Sequence, residues 1–79
     1  MQKLKPDMDI GNNIQNQRRR CDLTQEAVVA QLETMDIKMS RSTYAKIESS
    51  SYNIRISELV ALKKIFRMNS FDPFFADLG

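Results

Sequence analysis

Apolar side chains recur along this chain in five bursts, and within each burst the spacing is that of a helix rather than a strand. Ile10, Ile14 and Cys21 share one face of a segment from about Asp9 to Cys21, with Asp9 as the expected N-cap. Asp22 is expected to end that segment in the left-handed conformation that glycine usually supplies. Thr24 opens a second segment, with Gln25 and Glu26 in its first turn and Val28, Val29, Leu32 and Met35 as its apolar stripe. Ser40 opens a third, reaching about Ser49, in which Tyr44 and Ile47 point inward. Ser57 opens a fourth, running to about Met68, with Leu59, Leu62, Ile65 and Phe66 inward. A short fifth begins at Asp72, places Pro73 where a missing N–H costs nothing, and carries Phe74, Phe75 and Leu78.

Nothing interrupts this pattern. The two glycines and two prolines lie near the ends, and no repeat, low-complexity tract or hairpin signal occurs. The pattern predicts an all-α fold with an N-terminal arm over residues 1–8 and a single domain over 9–79.

Composition narrows the chemistry. The 79 residues include one cysteine and no histidine. Cys21 has no internal disulfide partner, which suits a reducing cytoplasm, and we expect it to be a small buried hydrophobe. Without histidine, neither Cys/His metal clusters nor His-dependent nucleophilic constellations are available, so we expect no metal, no cofactor and no enzymatic activity. No apolar run is long enough for a membrane span, and no small-molecule ligand is expected. Net charge is only +2, but it is unevenly spread. Residues 1–23 and 40–56 are each net +2, whereas residues 24–39 are net −2. Folding can therefore bring two basic segments onto one face, the electrostatic footprint of a nucleic-acid partner.

The most informative run is residues 23–49, LTQEAVVAQLETMDIKMSRSTYAKIES. Leu23-Thr24-Gln25 at the head of the second segment, followed by the Ser-x-x-x-Tyr-x-x-Ile-Glu pattern of residues 40–48, resembles the helix-turn-helix DNA-binding family of the phage lambda repressor and Cro type, which includes the xenobiotic-response-element-like bacterial regulators. The likeness extends upstream to Gly11, Ile14 and Arg18 and downstream to Glu58-Leu59. It departs from the family in three places. The second and third segments are about one helical turn farther apart, Asp22 replaces a glycine, and Ser49-Ser50 replaces an Asn-Gly pair. The resemblance implies a five-helix lambda-repressor-like domain whose second and third helices form the helix-turn-helix. It also implies that Arg18 pairs with Glu48, and that Gln25 touches the DNA backbone.

On the third segment, Arg41, Ser42, Ala45, Lys46 and Ser49 form the stripe opposite Tyr44 and Ile47. A helix in the major groove presents such a stripe to base edges. Arg41 suits guanine, Ser42 and Ala45 allow close approach, and Lys46 reaches a base or a phosphate. Free N–H groups at the helix starts, with Gln25 and Ser40, suit phosphates, and Asn53 and Arg55 form a second candidate grip. Lys3 and Lys5 lie in the arm. Phe71, Phe74, Phe75 and Leu78 recur at i, i+3, i+4 and i+7, an apolar face expected to form a homodimer contact through Phe71, Phe75 and Leu78. Two functions stand open at this point. One is a transcriptional regulator, as a repressor, binding double-stranded DNA as a homodimer on a short near-palindromic operator. The alternative is a protein-interaction module on the same fold, such as an antitoxin or a sequestering regulator.

Overall fold

Thr24 and Ser40 both stand in extended backbone, with φ of −82° and −77°, and each hydroxyl accepts a hydrogen bond from the N–H three residues on. Such a cap is worth about 1 kcal/mol and fixes where a helix begins. The helices that follow belong to a computed structural model that describes residues 10–76. They are α1 (Ile10–Arg20), α2 (Gln25–Thr34), α3 (Arg41–Glu48) and α4 (Ile56–Ile65), followed by one 3-10 turn over Asp72–Phe75. The described residues contain no strand. The expected cap Asp9, the lysines of the arm and Leu78 lie outside the described residues.

The start of α4 differs from the expectation. Ser57 is not the cap; it lies inside the first turn, and Arg55 takes the N-cap position. The carboxylate of Glu58 reaches back to accept the Arg55 backbone N–H at 2.8 Å, while the Tyr52 hydroxyl donates to its other oxygen at 3.1 Å. A glutamate already held from behind satisfies the helix start better than a serine one residue earlier. The fifth segment is also not an α-helix. It is a short 3-10 turn in which Phe74 N–H donates to Phe71 O, and Asn13 of α1 donates to the carbonyls of Phe74 and Ala76 at 2.9 and 2.8 Å. With those carbonyls engaged from outside, the turn does not propagate. Asp72 caps nothing here; its own N–H donates to Ser70 Oγ at 3.3 Å.

All four helices stop in the same way. The residues Asp22, Asp36, Ser50 and Arg67 have φ of +58°, +64°, +62° and +54°. In each case the next N–H returns to a carbonyl in the last turn: Leu23 to Arg18, Ile37 to Leu32, Ser51 to Lys46 and Met68 to Lys63, at 3.0–3.2 Å. This is the Schellman termination, normally built on glycine. An L-residue there costs roughly 1–2 kcal/mol. Three of the residues that follow, Leu23, Ile37 and Met68, pack on or in the core, which offsets the strain. The expected end of α4 at Met68 therefore moves back to Ile65, and Met68 becomes a core residue instead.

The core is built from Ile14, Val28, Leu32, Tyr44, Ile47, Ala61, Leu62, Ile65, Phe66, Met68 and Phe74. α1 packs on α3 and the 3-10 turn, and α2 packs on α3 and α4. The Phe74 ring meets Phe66 edge-on, with centroids 6.3 Å apart. Met35, expected inside, is exposed because α2 ends before it and it becomes the C-cap. Cys21 is only half-buried, and its thiol donates to the Phe66 carbonyl at 3.3 Å.

Replacing a strained terminator by glycine relieves the strain without touching the core. Arg67→Gly is expected to raise stability by about 1 kcal/mol. A urea titration checks this, and an unchanged or lowered midpoint contradicts it.

Candidate nucleic-acid interface

α3 has two faces, and the buried one is anchored by charge as well as by apolar contact. Tyr44 and Ile47 enter the core, and Glu48 at the end of the helix is buried with them. Its carboxylate, only 3% exposed, meets Arg18 of α1: Nε donates to Oε2 at 2.7 Å and a terminal nitrogen donates to Oε1 at 3.1 Å. The other terminal nitrogen of Arg18 donates to the Leu23 carbonyl at 2.8 Å. Gln25 Nε2 at the head of α2 donates to Glu48 Oε1 at 3.0 Å. One carboxylate thus joins α1, α2 and α3.

The electrostatics follow from that geometry. Burial by itself raises the Glu48 carboxyl, but Arg18, the neighbouring Tyr44 hydroxyl and Gln25 outweigh it and hold the group below its ordinary value of 4.5. The hydrogen bond to Glu48 raises Arg18 further above its already high value. Burial, with the Glu48 charge beside it, pushes the Tyr44 phenol well above its usual range. That hydroxyl lies near enough to feel the carboxylate but outside good hydrogen-bond geometry.

Backbone packing holds the same end of α3. Gly11 of α1 lies against the carbonyls of Ile47 and Glu48, and its N–H donates to Ser50 Oγ at 3.2 Å. A methyl group on Gly11 would sit within 2.6 Å of Glu48 O and Ser50 Oγ, and closer still to Ile47 O. Only a glycine lets the two helices approach this closely.

The opposite face of α3 presents Arg41, Ser42, Lys46 and Ser49 to solvent, with Ala45 half-buried at its edge. Arg41 Nε lies 3.2 Å from Glu26 Oε2 of α2, and both side chains are exposed. Ser49 Oγ is engaged by the Lys46 carbonyl and Ser51 Oγ. Several candidate phosphate contacts have internal partners. One amide hydrogen of Gln25 goes to Glu48, and the Ser40 hydroxyl both caps Thr43 and donates to its hydroxyl. The first backbone N–H groups of α2 and α3 remain the anion-attracting element at those helix starts. Asn53 and Arg55 stand exposed in the segment between α3 and α4. No family model, curated protein or solved structure matches this chain.

Two contributors escape a reading of the sequence alone: Glu26 meets Arg41, and Asn13 clamps the 3-10 turn. Gly11, met in the sequence only as part of the family resemblance, admits the end of α3. Each acts on a residue far along the chain, so no local spacing signals its role. Phe71 and Phe75 are 36% and 41% exposed on the C-terminal segment, while Phe74 between them is fully buried. The Lys63 ammonium lies 5.4 Å from the Phe71 ring centroid. Among the described residues no helix is long and apolar enough to cross a membrane.

A carboxyl held below its unfolded-state value stabilises the fold above the ordinary carboxylate value, and that contribution is lost as pH falls through the folded-state value. Glu48→Gln is therefore expected to cost about 3 kcal/mol at neutral pH, because it strands Arg18. It should also flatten the loss of stability on acidification. Urea midpoints measured for both proteins from neutral pH to about pH 3 test this. Acid limbs of equal steepness contradict it.

Proposed function

We propose that this chain is a cytoplasmic, sequence-specific DNA-binding regulator, a repressor, with the arrangement of the phage lambda repressor and Cro family. In this reading α2 and α3 are the helix-turn-helix, and α3 is the recognition helix. One observation carries it: α3 is locked on its buried face through Glu48, and its free face presents Arg41, Ser42 and Lys46 beside a small Ala45. The lock fixes the orientation of α3. A helix docked in the major groove depends on a fixed orientation, because base-edge hydrogen bonds fail with small changes of angle.

Arg41 binds a guanine edge, Ser42 and Ala45 permit close approach, and Lys46 adds a base or phosphate contact. The backbone is held by the starts of α2 and α3, with Gln25 and Ser40 ordering those starts, and by Asn53 and Arg55. Arg18 and Glu48 are structural. The lone free thiol of Cys21 accords with a reducing compartment.

Binding to random duplex should weaken steeply with salt, as phosphate contacts require. Arg41→Ala should cost about 1–3 kcal/mol on the preferred site and relax preference at one base position. Base-preference profiles of wild type and variant decide it. A variant with the wild-type profile removes Arg41 from base reading.

The homodimer contact proposed here runs through Phe71 and Phe75, large apolar side chains both left exposed on the C-terminal segment. Two recognition helices about 34 Å apart would double the sequence read. Sedimentation should give a dimer for wild type and a monomer for Phe75→Asp. A wild type that stays monomeric at high concentration, or a variant that dimerises fully, excludes this contact.

A further inference from the structure

We infer that Glu26 is a positioning and specificity residue for Arg41, orienting its guanidinium for a base edge while disfavouring binding to unmatched DNA. The inference rests on the DNA-binding reading above. Arg41 is the first residue of α3 and Glu26 lies in the first turn of α2, so their contact at 3.2 Å bridges the two helices. Of the cations on the free face of α3, Arg41 has a carboxylate partner and Lys46 has none among the described residues.

The atoms in contact matter. The approach is through Nε, the guanidinium nitrogen nearest the chain. The two terminal amino groups lie beyond it, and these can bind guanine O6 and N7 together. An unpartnered arginine at a surface must give up much rotamer freedom to make that contact. With Glu26 behind it, part of the ordering is already done. The two side chains are 59% and 70% exposed, so the pair is weak and solvent-screened. It biases the guanidinium without trapping it.

Glu26 has a second effect, of opposite sign. The start of α2 attracts phosphates through its free N–H groups. A carboxylate in that turn lowers the attraction on every sequence alike. A matched site offsets that loss through Arg41, whereas an unmatched site does not. Rejection of wrong partners by a repulsive element is a general route to specificity. Glu26 also favours α2 through the helix dipole, but that role does not alter which base is preferred.

The test compares wild type, Glu26→Gln, Arg41→Ala and the double variant, with melting curves to verify folding. Each is titrated with a duplex carrying the selected site, with the same duplex changed at the base pair that Arg41 reads, and with random duplex. Glu26→Gln should bind random duplex about two- to fivefold more tightly and lose about two- to fivefold of preference at that base pair, the size of an exposed ion pair. In the Arg41→Ala background the same substitution should still tighten random binding and leave that preference unchanged. If Glu26→Gln keeps the wild-type preference, or changes it equally without Arg41, this inference falls and the DNA-binding reading stands. If wild type binds no duplex, both fall.

Discussion

The orientation of α3 depends on the carboxylate of Glu48. It is buried at the end of that helix, and its oxygens are taken by Arg18 from α1 and Gln25 from α2. An ionised carboxylate in such a place is tolerable only with its donors in place. That requirement is what gives the site geometric content: three helices must meet at one point for the charge to be satisfied. Apolar packing by Tyr44 and Ile47 supplies adhesion without direction, and the bidentate guanidinium supplies direction. Gly11 completes the arrangement by letting α1 approach the last carbonyls of α3.

The rest of the chain maintains that meeting point under strain. Each helix ends on a non-glycine residue with positive φ, so the turns into α2 and out of α3 are both held by tertiary contact rather than by intrinsic preference. Core side chains directly after the turns that end α1, α2 and α4 supply the contact there, and the Gly11 N–H to Ser50 Oγ hydrogen bond supplies it after α3. A domain this small buries limited apolar surface, and four such positions consume a noticeable share of a stability that is marginal by nature.

The helices were legible because their signals are local. Thr24 and Ser40 announce α2 and α3, the apolar spacing marks the core face of each, and Asp22 was expected in the left-handed conformation it adopts. What was not legible depends on residues distant in sequence. Ser57 gave way to a cap built by Glu58 and Tyr52, the fifth helix shrank to a single 3-10 turn clamped by Asn13, and Met35 was exposed by the early end of α2. At the candidate site, the solvent-facing stripe of α3 followed from helical periodicity. The internal engagement of Gln25 and Ser40, and the pairing of Arg41 with Glu26, follow only from how α2 and α3 are set together.

α3 has a buried face that holds it in place and a solvent-facing side that we propose reads DNA. Substitutions on the first face alter stability; substitutions on the second should alter recognition. Heteronuclear NMR of the protein titrated with its selected duplex tests that division directly. Amide shifts are expected to concentrate at Arg41, Ser42, Ala45 and Lys46 and at the first turn of α2, with the Ile14, Leu62 and Phe74 amides little changed. Shifts confined to the Phe71–Phe75 segment, or spread evenly over the molecule, would contradict it.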